Sequence, residues 1–290
     1  MKQGRILQSI GGFYHVESAD TVYLCRACGA LRKQQITPVA GDYAVIDEQA
    51  DATGTVRQIL PRRNLLHRPP LANIDVQIVV ASVEDPAPDL LLVDKMIALA
   101  EDQNIEPVVV FTKSDLGDST PWESIYQTAG LPVFSVSIQQ PESAQALRAF
   151  LQGKTCAFTG NTGVGKSSLL NVLDPSFARS TGQTSQKLGR GKHTTRSAVL
   201  LPFAGGYLVD TPGFSSLEVE DHLKADTLQY CFREFEKVEQ PCRFRMCTHV
   251  HEPGCAVQQA VQQGLIAPSR HKNYAALYAV LQQKKAWEKK

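Results

Sequence analysis

Hydrophobic residues follow two different patterns along this chain. Over residues 1–68 they alternate with polar residues in short runs, and these runs are separated by glycine-containing turns rather than by helical spacing. The five runs cover residues 4–10, 13–18, 21–27, 42–47 and 55–60. Short strands without intervening helices predict a small β-barrel, and we expect the five-stranded oligonucleotide-binding (OB) type.

The surface of this barrel has two interpretations. Its arginines are interleaved with the aromatic residues Phe13, Tyr14 and Tyr23. Such a mixture is typical of surfaces that contact phosphates and stack on bases. It is equally typical of a barrel that its aromatic residues fill and its arginines solvate.

After residue 73 the hydrophobic runs become longer and continuous. Strand-like runs cover residues 76–82, 107–115, 132–137, 154–159 and 205–214, and helical spacing covers residues 90–100, 122–129, 143–152 and 168–173. Strands that alternate with helices predict a doubly wound α/β sheet, which binds its ligands at the carboxyl ends of its strands.

The remainder of the chain departs from this alternation. Residues 175–197 are polar and basic, and a loop of that length inside a compact domain is usually functional. Residues 221–238 have helical spacing, and residues 268–290 are amphipathic and basic. We therefore predict three domains, namely a barrel at 1–68, an α/β domain at 69–220 and a mostly helical, metal-binding domain at 221–290.

Composition excludes several classes of protein. The 290 residues carry a net charge of +1, and no run approaches the ~20 apolar residues of a membrane span. The first residues lack the apolar core of a signal peptide, so we expect a cytoplasmic monomer that contacts no membrane. Seven cysteines in such a chain indicate metal ligation before disulfides. Cys25 and Cys28 form a CxxC pair with no second pair nearby, which predicts no metal site.

The stretch GNTGVGKSS at residues 160–168 carries the clearest chemical signal. Between a strand-like and a helix-like run, it has the spacing of the phosphate-binding loop of nucleoside triphosphatases. Its glycines let successive N–H groups turn towards phosphate oxygens at a helix N-terminus. We expect nine residues to bind the nucleotide: Gly160, Asn161, Thr162, Gly163, Val164, Gly165, Lys166, Ser167 and Ser168. Lys166 would act catalytically on the β- and γ-phosphates, and the Ser167 hydroxyl would bind Mg²⁺.

A second motif, DTPG, follows the phosphate loop at residues 210–213. Asp210 would hold Mg²⁺ through water, and the N–H of Gly213 would meet the γ-phosphate. Upstream, the GKHTTR stretch offers Thr194 or Thr195 as a further magnesium ligand, and we favour Thr195. Loss of the γ-phosphate would release this segment, as in the switch of GTPases.

The choice of base is predicted by the stretch TKSD. Its residues, Thr112, Lys113, Ser114 and Asp115, end a strand-like run. A carboxylate there accepts hydrogen bonds from N1–H and the exocyclic amine of guanine, and a site built around those donors rejects adenine. Lys113 would lie along the base. Ser135 and Ser137, at the end of the next strand-like run, are candidates to contact the guanine oxygen, and we favour contact through backbone N–H over contact through the side chain.

The order of these motifs is unusual. Ordinary GTPases carry the base-reading motif after the phosphate loop, whereas here Asp115 precedes Gly160. The strands can still meet at one edge of the sheet, because sheet order does not depend on chain order. The sequence therefore predicts a circular permutation.

A cysteine and histidine cluster follows in the stretch CRFRMCTHVHEPGC. Cys242, Cys247, His249 and Cys255 make a closed set of three thiolates and one imidazole, which is typical of structural zinc. His251 is a weaker alternative to His249. The surrounding basic residues predict a basic face that either contacts RNA or is merely solvated: Arg243, Arg245, Arg270, His271 and Lys272.

Together these motifs resemble one known family over nearly the whole chain. The barrel, TKSD, GNTGVGKSS, GKHTTR, DTPG and the zinc spacing are similar to the circularly permuted GTPases that act on the bacterial small ribosomal subunit. The resemblance implies an OB-type barrel, a permuted P-loop GTPase domain and a zinc-binding helical domain. It also implies GTP hydrolysis with Mg²⁺, one structural Zn²⁺, and a role with the small subunit and its rRNA in late maturation, where the subunit stimulates hydrolysis.

Two departures from the family pattern affect the site. Thr112 stands where the base motif usually has asparagine, which we expect to loosen the hydrogen bonding of its loop. Phe214 occupies the position of the glutamine that orients water in conventional GTPases. The matching family position makes His193 a catalytic candidate, with loop positioning or rRNA contact as the alternatives.

Three other functions compete with a ribosome-activated GTPase. A nucleotide-gated rRNA-binding assembly module would use hydrolysis only to time its release. Asp115 argues against an ATP-using kinase or ATPase, since it would be badly paired with adenine. The closed ligand set argues against a metal-dependent redox protein, because it leaves no coordination position open.

Overall fold

The computed structural model describes residues 1–67, 69–177, 198–210 and 223–287. In these residues the strands β1 to β13 are Lys2–Ile10, Phe13–Ser18, Thr21–Ala27, Tyr43–Glu48, Thr53–Ile59, Leu65–His67, Pro70–Ala72, Val76–Ser82, Glu106–Thr112, Val133–Val136, Thr155–Gly160, Val199–Phe203 and Gly206–Asp210. The helices α1 to α8 are Gly29–Lys33, Leu90–Asp102, Thr120–Ala129, Gln145–Leu151, Lys166–Leu173, Arg233–Glu236, Ala256–Gln262 and Pro268–Trp287. No helix among the described residues has the length and apolar character that a membrane crossing requires.

As far as it is described, the chain divides into two compact units. The first is built from Met1–Val76, Arg148–Phe158 and Asp174–Phe214. The second is built from Gln77–Leu147, Thr159–Leu173 and Ser215–Lys290. The division into domains at residues 68 and 220 stays a prediction.

The first unit contains a closed five-stranded barrel, as predicted. Strand β1 pairs antiparallel with β2 and with β4, β2 pairs antiparallel with β3, and β4 pairs antiparallel with β5. The parallel pairing of β3 with β5 completes the ring. Strand β1 also pairs antiparallel with β12. Strand β12 pairs antiparallel with β13, and β13 pairs parallel with β11.

The barrel separates its aromatic residues into two groups. Tyr14 and Tyr23 are buried in the barrel core with Ile6, Val16 and Ile46. Phe13 lies on the outer face, where the guanidinium of Arg26 stacks 4.5 Å from its ring centroid. Tyr14 and Tyr23 therefore fill the barrel, whereas Phe13 and Arg26 form an arginine–aromatic pair of the kind that can stack on a base.

The second unit is built on a sheet in the order β10–β9–β8. Strand β8 is buried along its whole length, which explains its continuous hydrophobic run. Helices α2 and α3 cover this sheet, and Trp122 and Tyr126 of α3 each pack against Phe111 of β9 at 6.2 Å between ring centroids.

The C-terminal residues share one core with helix α2. Ala98 and Leu99 of α2 pack in a cluster with Leu228, Phe232 and Tyr274. The predicted helix at 221–238 is wrong: the described part contains a 3-10 turn, Leu228–Cys231, and the short helix α6. Phe232 separates them with φ −117° and ψ 82°, and its buried ring packs edge-on to Tyr274 at 5.2 Å.

A buried ion-pair triad links α2 to the C-terminal helices. Arg270 is 1% exposed and donates two hydrogen bonds to Glu234, at 2.7 and 3.0 Å, and one to Asp94 at 2.7 Å. Burial raises the pKa of Asp94, although Arg270 and Asn273 oppose that shift. The prediction that Arg270 belongs to a basic outer face was wrong, because its guanidinium is buried and hydrogen-bonded to two buried carboxylates.

We expect Arg270→Met to lower the free energy of unfolding by about 3–5 kcal/mol, because Asp94 and Glu234 would remain buried without a counter-charge. Urea unfolding followed by tryptophan fluorescence measures this, since both tryptophans belong to the second unit. Without the counter-charge the folded-state pKa of Asp94 would rise further above its unfolded value of about 4, so the loss of stability should shrink as the pH falls from 7 to 5.

The matched control is Lys272→Met on the exposed side of the same helix, which should change stability by less than about 0.5 kcal/mol. Equal urea midpoints for Arg270→Met and the control would show that the triad contributes nothing.

Candidate functional site

The phosphate loop lies between β11, which ends at Gly160, and α5, which begins at Lys166. Gly160, Gly163 and Gly165 have φ values of 145°, 83° and 86°, a region that favours glycine. A Cβ on Gly160 would lie 2.3 Å from the carbonyl oxygen of Val80, so no side chain fits there. The loop geometry therefore agrees with the glycine spacing.

The side chains of the loop have distinct environments. Lys166 Nζ donates hydrogen bonds to the carbonyl oxygens of Gly160 and Asn161, at 2.7 and 2.6 Å, and burial lowers the pKa of this amine. Val164 is buried, so its side chain belongs to the core. Thr162, Ser167 and Ser168 are exposed. The exposed hydroxyls and the lysine therefore lie where a phosphate chain can reach them.

Thr112 joins the base-reading motif to the phosphate loop. Its hydroxyl is buried and lies 2.5 Å from the carbonyl oxygen of Val164 and 3.2 Å from that of Ala81. A hydroxyl has one hydrogen to donate, and the shorter contact identifies Val164 as its acceptor. The threonine therefore makes a direct bond to the phosphate loop, and the expected loosening relative to asparagine stays a prediction.

Asp115 is exposed and is oriented by Ser137. The hydroxyl of Ser137 is fully buried and donates a hydrogen bond to Asp115 Oδ1 at 2.5 Å. The N–H of Ser137 donates to Ser143 Oγ at 3.0 Å, so both polar groups of Ser137 are engaged within the protein. Ser135 instead donates to Glu123 at 2.5 Å.

The rest of the TKSD motif is held by backbone contacts. Lys113 has φ 57°, and its amine donates to the carbonyl oxygen of Asp85. The N–H of Ser114 donates to the carbonyl oxygen of Val136 at 3.4 Å. No sequence signal pointed to Asp85 or Ser143, because Asp85 acts through its backbone and Ser143 is one serine among several.

Some predicted residues fall outside this geometry. Asp210 is the last residue of β13, where its backbone pairs with that of Val199. His193, Thr195 and Gly213 lie outside the described residues, as do Thr194 and Phe214.

The cysteine and histidine cluster assembles as predicted. One ligand atom from each of Cys242, Cys247, His249 and Cys255 lies within 4.8 Å of the others. His249 Nδ1 is 3.4 Å from the sulfur of Cys255 and 3.6 Å from that of Cys242, and these two sulfurs are 3.9 Å apart. Tetrahedral zinc, with bonds of about 2.0–2.3 Å, places its ligand atoms roughly 3.3–3.8 Å apart. This Cys₃His set could therefore hold a zinc ion.

The other cysteine pair has no such geometry. Cys25 is buried in the barrel core, where burial raises the pKa of its thiol to about 11. The sulfur of Cys28 lies 3.5 Å from the carbonyl oxygen of Arg57. Neither cysteine belongs to a metal-ligand group among the described residues.

Known proteins match this chain over almost its full length. The family model described as RsgA GTPase matches residues 59–220, and the RsgA N-terminal domain matches residues 3–56. Curated relatives named "Small ribosomal subunit biogenesis GTPase RsgA" include that of Geobacillus thermodenitrificans, 42% identical over 98% of this chain and 99% of its own. The one from Caldanaerobacter subterraneus is 41% identical over 97% and 96%.

Solved structures agree with the sequence relatives. YloQ, titled a circularly permuted GTPase, is 33% identical with a TM-score of 0.83, covering 98% of this chain and 96% of its own. YjeQ from Thermotoga maritima is 33% identical with a TM-score of 0.82, covering 97% and 98%. With the reversed motif order and the bond between Thr112 and the phosphate loop, these likenesses show that the chain belongs to the RsgA GTPase family and is a circularly permuted GTPase, a hydrolase that acts on GTP.

Proposed function

We propose that this GTPase binds the small ribosomal subunit through its rRNA and acts in late assembly of that particle, with hydrolysis stimulated by the subunit. The relatives carry this role in their names. The single observation that supports the nucleotide part is the bond from Thr112 to Val164, which places the guanine-reading loop against the phosphate loop. We also propose that the protein is a cytoplasmic monomer that contacts no membrane, since its partner is a ribosomal particle.

The phosphates are bound by the backbone N–H groups of residues 160–168 and by Lys166. The amine now held by two loop carbonyls can turn towards the β- and γ-phosphates, which offer stronger, charged acceptors. Mg²⁺ accompanies GTP in GTPases of this kind, and we assign its ligands to Ser167, Thr195 and Asp210. Gly213 senses the γ-phosphate through its N–H.

The base is selected by Asp115, with Lys113 along the ring and Thr112 and Ser114 in the supporting loop. Ser137 acts through Asp115: its hydroxyl fixes one carboxylate oxygen and thereby orients the group that accepts from guanine. His193 assists hydrolysis, since Phe214 has no group that orients water.

The Cys₃His cluster holds one structural Zn²⁺. Three thiolates and one imidazole are the donor set that zinc prefers, and a closed set leaves no position for substrate. Metal binding would contribute folding free energy to the C-terminal residues, because the four ligands come together only in the folded chain.

The specificity of the base site is tested by Asp115→Asn. The amide would lose two charged hydrogen bonds to guanine and would instead pair with the 2-oxo group of xanthine. We expect GDP affinity to fall by about 10- to 100-fold and xanthosine diphosphate affinity to rise, measured by titration of both nucleotides. Asp118→Asn, an exposed neighbour, should leave both affinities unchanged. An unaltered preference for GDP in Asp115→Asn would remove Asp115 from base recognition.

The ribosomal role is tested by GTP turnover with and without purified small subunits at two salt concentrations, since binding dominated by phosphate contacts weakens with salt. We expect stimulation by the subunit, and a loss of about 10²-fold in the stimulated rate for His193→Ala with nucleotide affinity retained. Absence of stimulation in the wild type contradicts the proposed partner. Full stimulation in the variant contradicts only the assignment of His193.

The metal assignment is tested by a matched pair of histidine variants. We expect one zinc per wild-type chain by elemental analysis, and a loss of affinity of at least about 100-fold in His249→Ala by chelator competition, because a ligand is removed. His251→Ala, two residues away and exposed, should retain the metal. The reverse result would make His251 the ligand.

A further inference from the structure

The two ring nitrogens of His249 have different partners. Nδ1 lies 3.4 Å from the sulfur of Cys255 and 3.6 Å from that of Cys242, so it faces the centre of the Cys₃His cluster. Nε2 lies 2.9 Å from Oε1 of Gln229. Gln229 is half-buried in the 3-10 turn Leu228–Cys231, far from the ligand stretch in sequence. The amide oxygen of Gln229 therefore contacts the His249 ring at the nitrogen that faces away from the thiols.

The backbone that carries His249 is held independently. His249 has φ 61°, a conformation that a non-glycine residue adopts only when its surroundings impose it. The carboxylate of Glu252 accepts hydrogen bonds from both the N–H and the hydroxyl of Thr248, at 2.7 and 2.6 Å, and from the N–H groups of Val250 and His251, each at 3.2 Å. This carboxylate folds the ligand loop into a tight turn.

Helix α8 and helix α6 complete the support. His271 Nε2 lies 2.7 Å from the carbonyl oxygen of His249, and the hydroxyl of Tyr274 donates to the carbonyl oxygen of Thr248 at 2.7 Å. The ring of Phe235 packs edge-on to the imidazole at 5.7 Å. The ring thus has a fixed position, and the remaining freedom is which of its nitrogens carries the proton.

Gln229 removes that freedom. A neutral imidazole carries its proton on one nitrogen and a lone pair on the other. Oε1 can only accept, so it stabilises the tautomer with the proton on Nε2 and leaves the lone pair on Nδ1, which points at the thiols. We propose that Gln229 is a positioning residue of the metal site, which selects the Nδ1-ligating tautomer of His249 and so raises metal affinity. This inference rests on the proposed zinc site.

Metal affinity of the full-length protein tests this without any activity assay. Co²⁺ titration followed by its d–d absorption, and Zn²⁺ competition with a chelator, should show binding weakened by about 10- to 100-fold in Gln229→Leu, the usual range for a lost outer hydrogen bond. Gln229→Glu keeps an acceptor and adds charge, so it should bind at least as tightly as the wild type. Gln259→Leu, an exposed glutamine on α7, is the matched control and should be unchanged.

Ring nitrogen assignment in the wild-type protein gives a second readout that does not depend on an affinity difference. Long-range ¹H–¹⁵N spectra of the zinc-loaded chain, with His249→Ala to assign the ring, should show a protonated Nε2 and a metal-bound Nδ1. A metal-bound Nε2, or an affinity of Gln229→Leu within twofold of the wild type, overturns this inference alone. A wild-type chain that takes up neither Co²⁺ nor Zn²⁺ overturns the zinc proposal and this inference with it.

Discussion

A single buried hydrogen bond organises the nucleotide site of this permuted chain. The hydroxyl of Thr112 and the carbonyl oxygen of Val164 are 2.5 Å apart although their residues are separated by 52 positions. The TKSD motif therefore meets the GNTGVGKSS loop in reversed chain order. The sheet permits this because the carboxyl ends of its strands meet at one edge whatever their order along the chain. Thr112 can make this connection because its hydroxyl donates directly to a carbonyl oxygen of the phosphate loop.

The second constraint is the desolvated charge of Arg270. Moving charged groups from water into the protein interior costs free energy. Attraction between the groups offsets this cost only when their hydrogen-bonding groups are fully paired. Arg270 does so with a two-pronged contact to Glu234 and one bond to Asp94. The guanidinium also lies 4.5 Å from the ring centroid of Phe232. The arrangement links α8 to α2. The Cys₃His cluster and the TKSD motif belong to the same compact unit.

The loop that carries His249 is also held by paired polar groups. The carboxylate of Glu252 accepts hydrogen bonds from three backbone N–H groups of this loop, and Gln229, His271 and Tyr274 each contribute one hydrogen bond from elsewhere in the fold. These polar contacts order the loop that carries His249, beside the apolar core that the C-terminal residues share with α2.

Much of the fold and part of the site could be predicted from the sequence alone. Four features follow from the spacing of residues within short segments: the five barrel strands, the alternation of strands and helices, the glycine spacing of the phosphate loop and the Cys₃His set. The roles of Ser137, Thr112 and Gln229 are not local. Each depends on a partner at least 20 positions away, and only packing decides such pairs.

The same reason explains the two wrong predictions. Residues 221–238 have helical spacing, yet Phe232 leaves helical geometry where its ring packs in the core, a tertiary preference that outweighs local propensity. Arg270 lies in a basic stretch and was therefore predicted to be a surface cation. Its two carboxylate partners, Glu234 and Asp94, are 36 and 176 positions away in the sequence, so the local sequence does not indicate them. The sequence by itself determined the elements and the motifs, and the tertiary structure decided which side chains meet, because contacts between distant residues are set by how the elements pack.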